Sequence, residues 1–460
     1  MDGELIQRLL ARLRSGTATS TELQGMLGAS QTAVSRALRE LADSGRVLKM
    51  GRARAARYGL KRGIESIGSQ WPLRRVTETG DIDEIGILFS LAADEYYLDV
   101  YPGAAERGFA WGGLTQGLPY FLQDQRPGGF LGRTVLSRYP ELDLPKRVTD
   151  WSDDQYLRYL TSCGADVVSD LILGDRAFDL HLAPKPHPHR LLSRERARHY
   201  PALAEAAMSG EFIGSSAQGE HPKFTALIAD APALREVIVK FSPSMSTPVG
   251  RRWADLLIAE HRAHAVLRAA GVDSCNSDLV QAGGRTFLEV ERFDRRGFEG
   301  RFGVSSLLAI DTGVIGGSKD WLDAAQKLHD ARRIGDTTLE TVRRVSTFGA
   351  LIANTDRHFG NLAYFDRYNG KFELAPIYDM LPMLFAPAHD EIVERTFEPP
   401  ELTSATLRAW PQAREMAEQY WHVLTQDERI STEFRAIAAA CFAALNALPR
   451  TGPYAYAGQG

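Results

Sequence analysis

The chain has 460 residues, 44% hydrophobic and 24% charged, which is the composition of a folded protein too long for one hydrophobic core. Two or three domains are therefore expected. No apolar run reaches the roughly 18 residues that cross a bilayer, and the charged N-terminus argues against a secretory signal, so we expect a cytoplasmic protein outside any membrane. The widely separated Cys163, Cys275 and Cys441 favour buried thiols over disulfides or a metal clip.

The net charge of −4 is unevenly distributed along the chain. Residues 1–63 carry 12 Lys and Arg against 5 Asp and Glu, a charge of +7, which leaves −11 for the remainder. A basic end on a more acidic body is typical of a protein whose terminal unit contacts nucleic acid.

The N-terminal region predicts three short helices. Apolar residues recur at helical spacing in 3–14 (GELIQRLLARLR), with arginines on the other face. Thr19 or Ser20 can cap a second helix that ends at Gly28, and Ser30 opens a third helix in ASQTAVSRALRELADSGRV. The second and third helices thus follow each other in helix-turn-helix order.

Two short strands, RVLKM and ARYGL, flank the basic tip GRARAA and complete a winged helix-turn-helix similar to those of bacterial regulators over residues 16–60. In this interpretation the third helix enters a major groove and the wing meets phosphates. A protein-interaction module is the alternative, which the position of the positive charge disfavours. The predicted DNA contacts are Gln31, Thr32, Ser35, Arg36 and Arg39 on the helix, with Arg52, Arg54 and Arg57 on the wing.

Residues 66–210 give weaker signals. Strand formers dominate IGILFSLAADEYYLDVY, and SDDQYLRYLTSCGADVVSDLILG opens on a cap with helical periodicity. His181, His187 and His189 resemble a metal cluster, but the interleaved prolines prevent a helical face, so a surface loop is expected instead.

A small-residue loop follows in FIGSSAQGEHPKFTALI, where glycine and serine leave room for anionic oxygens. Gly214 and Gly219 match the first part of a Walker A motif. Glu220 and His221 replace the Lys-Ser/Thr that should come next, which disfavours a P-loop NTPase. An ordinary turn is the alternative.

Lys240 emerges from the apolar strand REVIVKFSPS. A half-buried ammonium is costly unless paired, so we expect nucleotide phosphates or an acid on the following helix, with Glu260 as the candidate. A snorkelling lysine on an edge strand is the alternative. The next strand and connector, RTFLEVERFDRRG, lie where a two-lobed kinase holds adenine.

The run ANTDRHFGN, residues 353–361, places Asp356 and Asn361 five positions apart. Kinases take the carboxylate that orients the attacking hydroxyl and one Mg²⁺ ligand from such a loop, and a later acid completes the metal site. Asp379 follows a predicted hairpin, LAYFD and KFELAPIY around RYNG, which could return it to Asn361. Turn chemistry explains either piece alone, but the order of the parts favours a kinase.

The motifs GSSAQGEHPKF, VERFDRR, TDRHFGN and LAPIYDMLP resemble those of the HipA family of bacterial serine/threonine kinases, the toxins of type II toxin–antitoxin systems, over residues 70–450. The added winged helix is similar to the YjjJ-like branch, which lacks a separate antitoxin in the usual operon arrangement. The resemblance implies an α+β, two-lobed HipA-like kinase fold. Its expected parts are a winged helix-turn-helix (1–65), a mixed α/β N-lobe with a family-specific subdomain (66–295) and an all-helical C-lobe (296–460).

The resemblance also implies cofactors and roles. ATP and Mg²⁺ would be bound, with Asp356 as catalytic base, Asn361 and Asp379 on the metal, and Ser215 or Ser216 autophosphorylated. Family toxins phosphorylate aminoacyl-tRNA synthetases and so arrest translation, although nothing in these residues selects that substrate. The implied ATP-binding residues are Gln218, Gly219, Lys223, Lys240, Glu291, Arg292, Phe293, His358 and Tyr378.

Two other functions remain open. One is a DNA-binding regulator whose kinase-like body only senses nucleotide. The other is a nuclease, because Asp and Asn bind Mg²⁺ equally well for phosphodiester hydrolysis. The expected partners are DNA through residues 1–65 and a protein substrate, with a homodimer possible on DNA and no membrane partner.

Overall fold

The structure is a computed structural model that describes residues 2–132, 135–183, 190–209, 221–230, 233–297, 299–388 and 391–448. The predicted residues Ser215, Ser216, Gln218 and Gly219 lie outside these ranges, as do His187 and His189. Within them, no helix combines the length and apolar character that a membrane crossing requires.

The N-terminal unit contains the three predicted helices and the two predicted strands, and a third strand that the sequence did not predict completes an antiparallel sheet. Thr19 caps the second helix in a capping box with Glu22, and Gly28 ends it at φ +59°. Ser30 caps the third helix, as expected. The elements are α1 (Asp2–Leu13), β1 (Ala18–Thr19), α2 (Ser20–Leu27), α3 (Gln31–Asp43), β2 (Val47–Met50) and β3 (Arg57–Leu60), with strand order β1-β3-β2.

The second unit is a five-stranded antiparallel sheet, and it contains both the strand and the capped helix predicted in this region. A Cβ on Gly86 would lie 2.1 Å from the backbone oxygen of Asp99, so glycine is needed for the central strands to pair. The strand order is β7-β6-β5-β4-β8. The elements are β4 (Gln70–Val76), β5 (Ile82–Ser90), β6 (Glu95–Val100), α4 (Pro102–Glu106), β7 (Gly113–Gln116), α5 (Tyr120–Gln123), α6 (Gly129–Gly132), α7 (Val135–Arg138), α8 (Asp153–Cys163), β8 (Leu171–Leu173) and α9 (Asp175–Leu182).

A second five-stranded sheet contains the predicted lysine strand at its centre. Its order is β12-β13-β11-β10-β9, and Lys240 lies on β11 with 9% of its surface exposed. The alternative of a snorkelling lysine on an edge strand is therefore wrong. The elements are β9 (Arg190–Leu191), α10 (Arg196–Met208), β10 (Lys223–Asp230), β11 (Ala233–Phe241), α11 (Pro248–Ala269), β12 (Ser277–Ala282) and β13 (Arg285–Glu291).

The C-terminal part is mainly helical, but the expectation that it is entirely helical needs correction. The predicted hairpin forms, and its first strand pairs with an additional strand, which gives a sheet of order β16-β17-β18. The elements are β14 (Arg295–Arg296), β15 (Gly300–Arg301), β16 (Val304–Ser306), α12 (Leu307–Ile310), α13 (Trp321–Asp330), α14 (Asp336–Leu351), β17 (Ala363–Asp366), β18 (Phe372–Leu374), α15 (Trp410–Gln426) and α16 (Thr432–Asn446). Cys163, Cys275 and Cys441 are free and buried, as predicted.

Buried hydrogen bonds join the second unit to the small C-terminal sheet. The Tyr120 hydroxyl donates to Asp366 over 2.6 Å, and the Ser306 hydroxyl donates to Asp124 over 2.6 Å. Both carboxylates are buried. Because a buried carboxylate that loses its donors is costly, these bonds hold the two sheets in one arrangement.

The N-terminal unit is attached to the second unit directly after β3. The Arg62 backbone N–H donates to the Ser90 oxygen over 3.0 Å, and the Arg62 guanidinium meets both Asp154 oxygens at 2.7 and 2.6 Å. Met50 of the wing packs with the buried Leu91. Backbone bonds, an ion pair and apolar contact therefore fix this unit on the body.

Gly250 in the first turn of α11 offers a test of this packing. A Cβ there would lie 1.9 Å from the backbone oxygen of Ser244, in the turn after β11. We expect Gly250→Ala to lower the free energy of unfolding by about 3 kcal/mol, because the helix must move off the turn. Urea denaturation measures the change. Gly25→Ala is the control, since no atom lies within 4 Å of its added Cβ. Equal destabilisation by both substitutions would contradict the packing argument.

Candidate active site

Lys240 lies at the centre of a buried charge cluster. Its Nζ is 2.7 and 2.9 Å from the two carboxylate oxygens of Glu260, which lies within α11 and is fully buried. The same ammonium contacts the carboxylate of Asp379. The predicted partner is thus confirmed, and the second predicted metal ligand joins it. A strand lysine paired with a helix glutamate is also the arrangement that protein kinases use beside ATP.

The charged groups in this cluster shift one another's pKa values. Burial disfavours the ammonium form of Lys240, but Asp379 and Glu260 outweigh it and raise the pKa of Lys240 well above its usual range. Burial alone would raise the pKa of Asp379, yet Lys240 and Lys223 lower it well below the usual 3.8. Ionised Asp379 therefore stabilises the fold above pH 3.8, and this contribution is lost as the pH falls through its lowered pKa.

Lys223 places a second cation next to Lys240. The two residues are directly opposite each other on the antiparallel strands β10 and β11, so their side chains lie on the same face of the sheet. Lys223 is 3% exposed. Two neighbouring ammonium groups on one face of the sheet concentrate positive charge that suits polyanionic phosphates.

The loop after α14 holds Asp356 and Asn361 together. The side-chain oxygen of Asn354 accepts from the Asp356 backbone N–H over 2.9 Å, and the Asn361 amide donates to the Asp356 backbone oxygen over 2.9 Å. Asn361 is buried, whereas 49% of the Asp356 side chain is exposed. The loop thus fixes its backbone internally and leaves one carboxylate accessible.

Hydrogen bonds bring Asp379 to this loop. The Tyr378 hydroxyl donates to the Gly360 backbone oxygen over 2.6 Å. The Asn354 side-chain amide donates to the Asp379 backbone oxygen over 3.3 Å. Asp379 has φ +50°, a left-handed conformation that Asp and Asn tolerate better than most residues. The hairpin therefore returns Asp379 to the neighbourhood of Asn361, as the sequence predicted.

This donor set fits Mg²⁺. Asp379 offers carboxylate oxygens, and Asn361 keeps an amide oxygen because its N–H donates to Asp356. Across the ranges that the structure describes, no group of three or more His, Cys, Asp or Glu is arranged to hold a metal. Mg²⁺ usually binds one or two protein groups together with phosphates and water. The oxygens of Asn361 and Asp379, close to Lys240, suit this kind of binding.

The other predicted nucleotide residues have differing environments. Glu291 ends β13, and the buried Arg292 guanidinium meets Asp294 at 2.9 and 2.8 Å, so this side chain serves an ion pair. Phe293 packs on Tyr378, with ring centroids 5.6 Å apart. His358 is 59% exposed, lies 4.0 Å from Asp356 and accepts from the Gly360 N–H over 3.0 Å.

Sequence analysis missed two residues that support the loop. Asn354 contacts both acids, and the Trp321 indole donates to the His358 backbone oxygen over 3.0 Å. The Asn-Thr-Asp triplet was a usable signal for Asn354, because asparagine often bonds the backbone two residues ahead. The role of Trp321 could not be predicted from the sequence, because its hydrogen bond reaches a residue 37 positions further along the chain.

The predicted DNA-binding residues of α3 are exposed, as is Arg52. The Arg54 side chain lies outside what the structure describes. Arg57 needs correction: its guanidinium donates to the Thr17 backbone oxygen over 2.9 Å and lies 3.9 Å from Glu22, so it supports the unit internally. The exposed residues of α3 are Gln31, Thr32, Ser35, Arg36 and Arg39.

Models of known protein families match two parts of the chain. Residues 215–445 match the model of the HipA-like C-terminal domain, and residues 67–182 match that of the YjjJ-like toxin middle domain. These matches define a HipA-like protein. The chain is 34% identical over 436 residues to Toxin YjjJ of Escherichia coli (strain K12), which covers 93% of this chain and 94% of that protein. The chain belongs to the family of YjjJ-like toxins.

Solved structures resemble the same fold. HipA of Shewanella oneidensis MR-1, determined with HipB and its operator DNA, matches with a TM-score of 0.52 and 16% identity over 81% of this chain and 96% of that one. This likeness concerns the fold. The Helicobacter pylori proinflammatory kinase CtkA has a TM-score of 0.36 and 14% identity over 51% of this chain and 88% of that one, too low to support an argument.

The lysine cluster predicts a non-additive effect on stability. Lys240→Met leaves the fully buried Glu260 without its cation, and we expect the free energy of unfolding to fall by about 3 kcal/mol. Lys240→Met combined with Glu260→Gln removes that unpaired charge and should restore most of the loss. Urea denaturation at neutral pH measures both. If the double variant is no more stable than Lys240→Met alone, the loss of stability does not come from an unpaired Glu260 carboxylate.

Proposed function

We propose that the protein is an ATP- and Mg²⁺-dependent serine/threonine protein kinase that acts as the toxin of a toxin–antitoxin-like system. The supporting observation is the contact of Lys240 with both Glu260 and Asp379, next to the loop of Asp356. It joins side chains suited to binding phosphate and metal, from distant parts of the chain, into one site next to the candidate base. Residues 66–295 and 296–460 would form the two lobes around it.

Each side chain has a distinct role in this proposal. Lys240 and Lys223 neutralise phosphate oxygens, and Glu260 keeps Lys240 oriented. Asn361 and Asp379 would hold Mg²⁺, which supplies charge neutralisation at the phosphates. Asp356, half exposed and fixed by Asn354, accepts the hydrogen of the attacking hydroxyl and orients its oxygen.

Toxicity follows from the target that is phosphorylated. The relative of 34% identity is named a toxin, which supports growth inhibition by this chain as well. We infer that the target belongs to translation, with an aminoacyl-tRNA synthetase as the family precedent. Autophosphorylation at Ser215 or Ser216 would then inactivate the kinase.

We further propose that residues 1–65 bind DNA as a winged helix-turn-helix, for autoregulation or self-inhibition. The support is the charge of +7 on residues 1–63 and the exposed face of α3. A homodimer would suit a palindromic operator. The fold neighbour from Shewanella was itself determined with a partner protein and operator DNA.

Two substitutions separate base from metal ligand. Asp356→Asn should lower phosphate transfer by about a thousandfold while Mg-ATP binding persists, because only the hydroxyl acceptor is lost. Asp379→Asn should abolish transfer and weaken Mg-dependent ATP binding, and asparagine tolerates the left-handed backbone there. Radiolabel transfer, phosphopeptide mass spectrometry and calorimetric ATP binding are the measurements.

Glu373→Gln, on the same hairpin and exposed, is the control and should retain activity. Wild-type protein that binds Mg-ATP yet labels neither itself nor any lysate protein would refute the kinase proposal. Plasmid nicking that survives Lys240→Met would favour a nuclease instead.

DNA binding has its own test in the full-length chain. Arg36→Ala combined with Arg39→Ala should weaken binding to the preferred site by about tenfold or more, because two cationic contacts in the groove are lost. Footprinting on the protein's own promoter, followed by titration, measures this. Arg14→Ala removes an exposed arginine directly after α1, and this variant should bind normally. Equal affinity of the wild type for every duplex would rule out operator recognition.

A further inference from the structure

A cavity of about 430 Å³ opens beside Asp356. The loop 355–358, the start of α13, one face of α14 and the segment 400–410 form its walls. Its volume is in the range of sites that bind ligands. Asp356 therefore lines this cavity. Asn354 bonds the backbone of both Asp356 and Asp379, so the cavity lies close to the carboxylate that contacts Lys240.

The cavity wall carries an excess of negative charge. Asp320, Asp356 and Glu401 line it, and Asp320 and Glu401 form no ion pair with any other residue that the structure describes. Arg357 also lines it, donates to the Asn354 backbone oxygen and interacts electrostatically with Asp320, which leaves three carboxylates against one guanidinium on the wall. His358, 59% exposed, is the other titratable group on the wall.

Trp410 adds an unsatisfied donor to the same wall. It begins α15, is 3% exposed, and its indole N–H is buried without an acceptor among the described residues. Trp321, also on the wall, donates instead to the His358 oxygen over 3.0 Å. Buried indole N–H groups usually have a partner, so Trp410 offers a hydrogen bond to an occupant with a carbonyl oxygen.

We propose that this cavity docks the segment of the protein substrate that flanks the phosphorylated Ser or Thr, and that it selects Lys or Arg there. The inference rests on the kinase function proposed above. A polypeptide in the cavity presents its hydroxyl to Asp356 from one side, while the nucleotide approaches from the side of Lys240. Asp320 and Glu401 pair with the basic side chain, and Trp410 can bond a backbone carbonyl.

The chain's own segment 210–220, GEFIGSSAQGE, lacks any Lys or Arg. Phosphorylation of Ser215 or Ser216 therefore reports kinase activity without requiring the basic selectivity proposed for the cavity. This separates a failure of the kinase proposal from a failure of the docking proposal.

The test compares full-length wild type with Asp320→Asn combined with Glu401→Gln, using Mg-ATP and a library of Ser and Thr peptides varied at each flanking position. Wild type should favour Lys or Arg at one or more positions. In the double variant the ratio of kcat/KM for basic over neutral peptides should fall about tenfold, as expected for two lost ion pairs. Asparagine remains a good N-cap, so the side chain at position 320 still accepts from the Asp323 N–H at the start of α13.

Glu394→Gln combined with Glu398→Gln is the matched control, because both acids are exposed in the neighbouring segment and lie off the cavity wall. It should keep the wild-type preference. The docking inference is overturned, and the kinase proposal stands, in either of two cases. In the first, active wild type shows no preference for basic peptides; in the second, the double variant keeps the wild-type preference. If wild type transfers phosphate to nothing, both fail.

Discussion

A single buried ammonium joins the elements around the candidate site. Lys240 leaves an apolar central strand and must find negative charge, because an unpaired cation there would be too costly. It finds Glu260 on α11 and Asp379 after the C-terminal hairpin, so one side chain connects the five-stranded sheet, its covering helix and the segment that follows the hairpin and bonds the loop of Asp356. The Tyr378 bond to Gly360 then sets the distance between that hairpin and the loop. The nucleotide and metal roles proposed here all depend on this one cluster.

Local chemistry made part of this predictable from the sequence. Thr19, Gly28 and Ser30 mark helix ends through backbone bonds within a few residues, and the structure has those ends. Glu260 was predictable because a lysine on an apolar strand requires an acid on the next helix. Charge alone did not predict the bond from Arg57 to the Thr17 backbone oxygen, since that bond links β3 to the residue before β1.

Features that depend on distant pairing could not be predicted in this way. The strand β16 joins a hairpin whose own sequence gives no sign of a third partner. The cavity beside Asp356 combines Asp320, Glu401 and Trp410, which are far apart in the chain and ordinary in their local sequence. The resemblance of short motifs indicated the family, yet only the folded chain places these groups around one space.

The attachment of the N-terminal unit through Arg62 and Ser90 also bears on how the kinase and DNA-binding roles proposed above could be separated in a cell. In a system of two proteins, growth dilutes an inhibitor and its target, and their complex falls apart as the concentrations drop. Here the two units share a chain, so their local concentration stays the same at any expression level. Dilution and selective degradation of one partner therefore cannot part them, and only a conformational change or cleavage of the chain can do so.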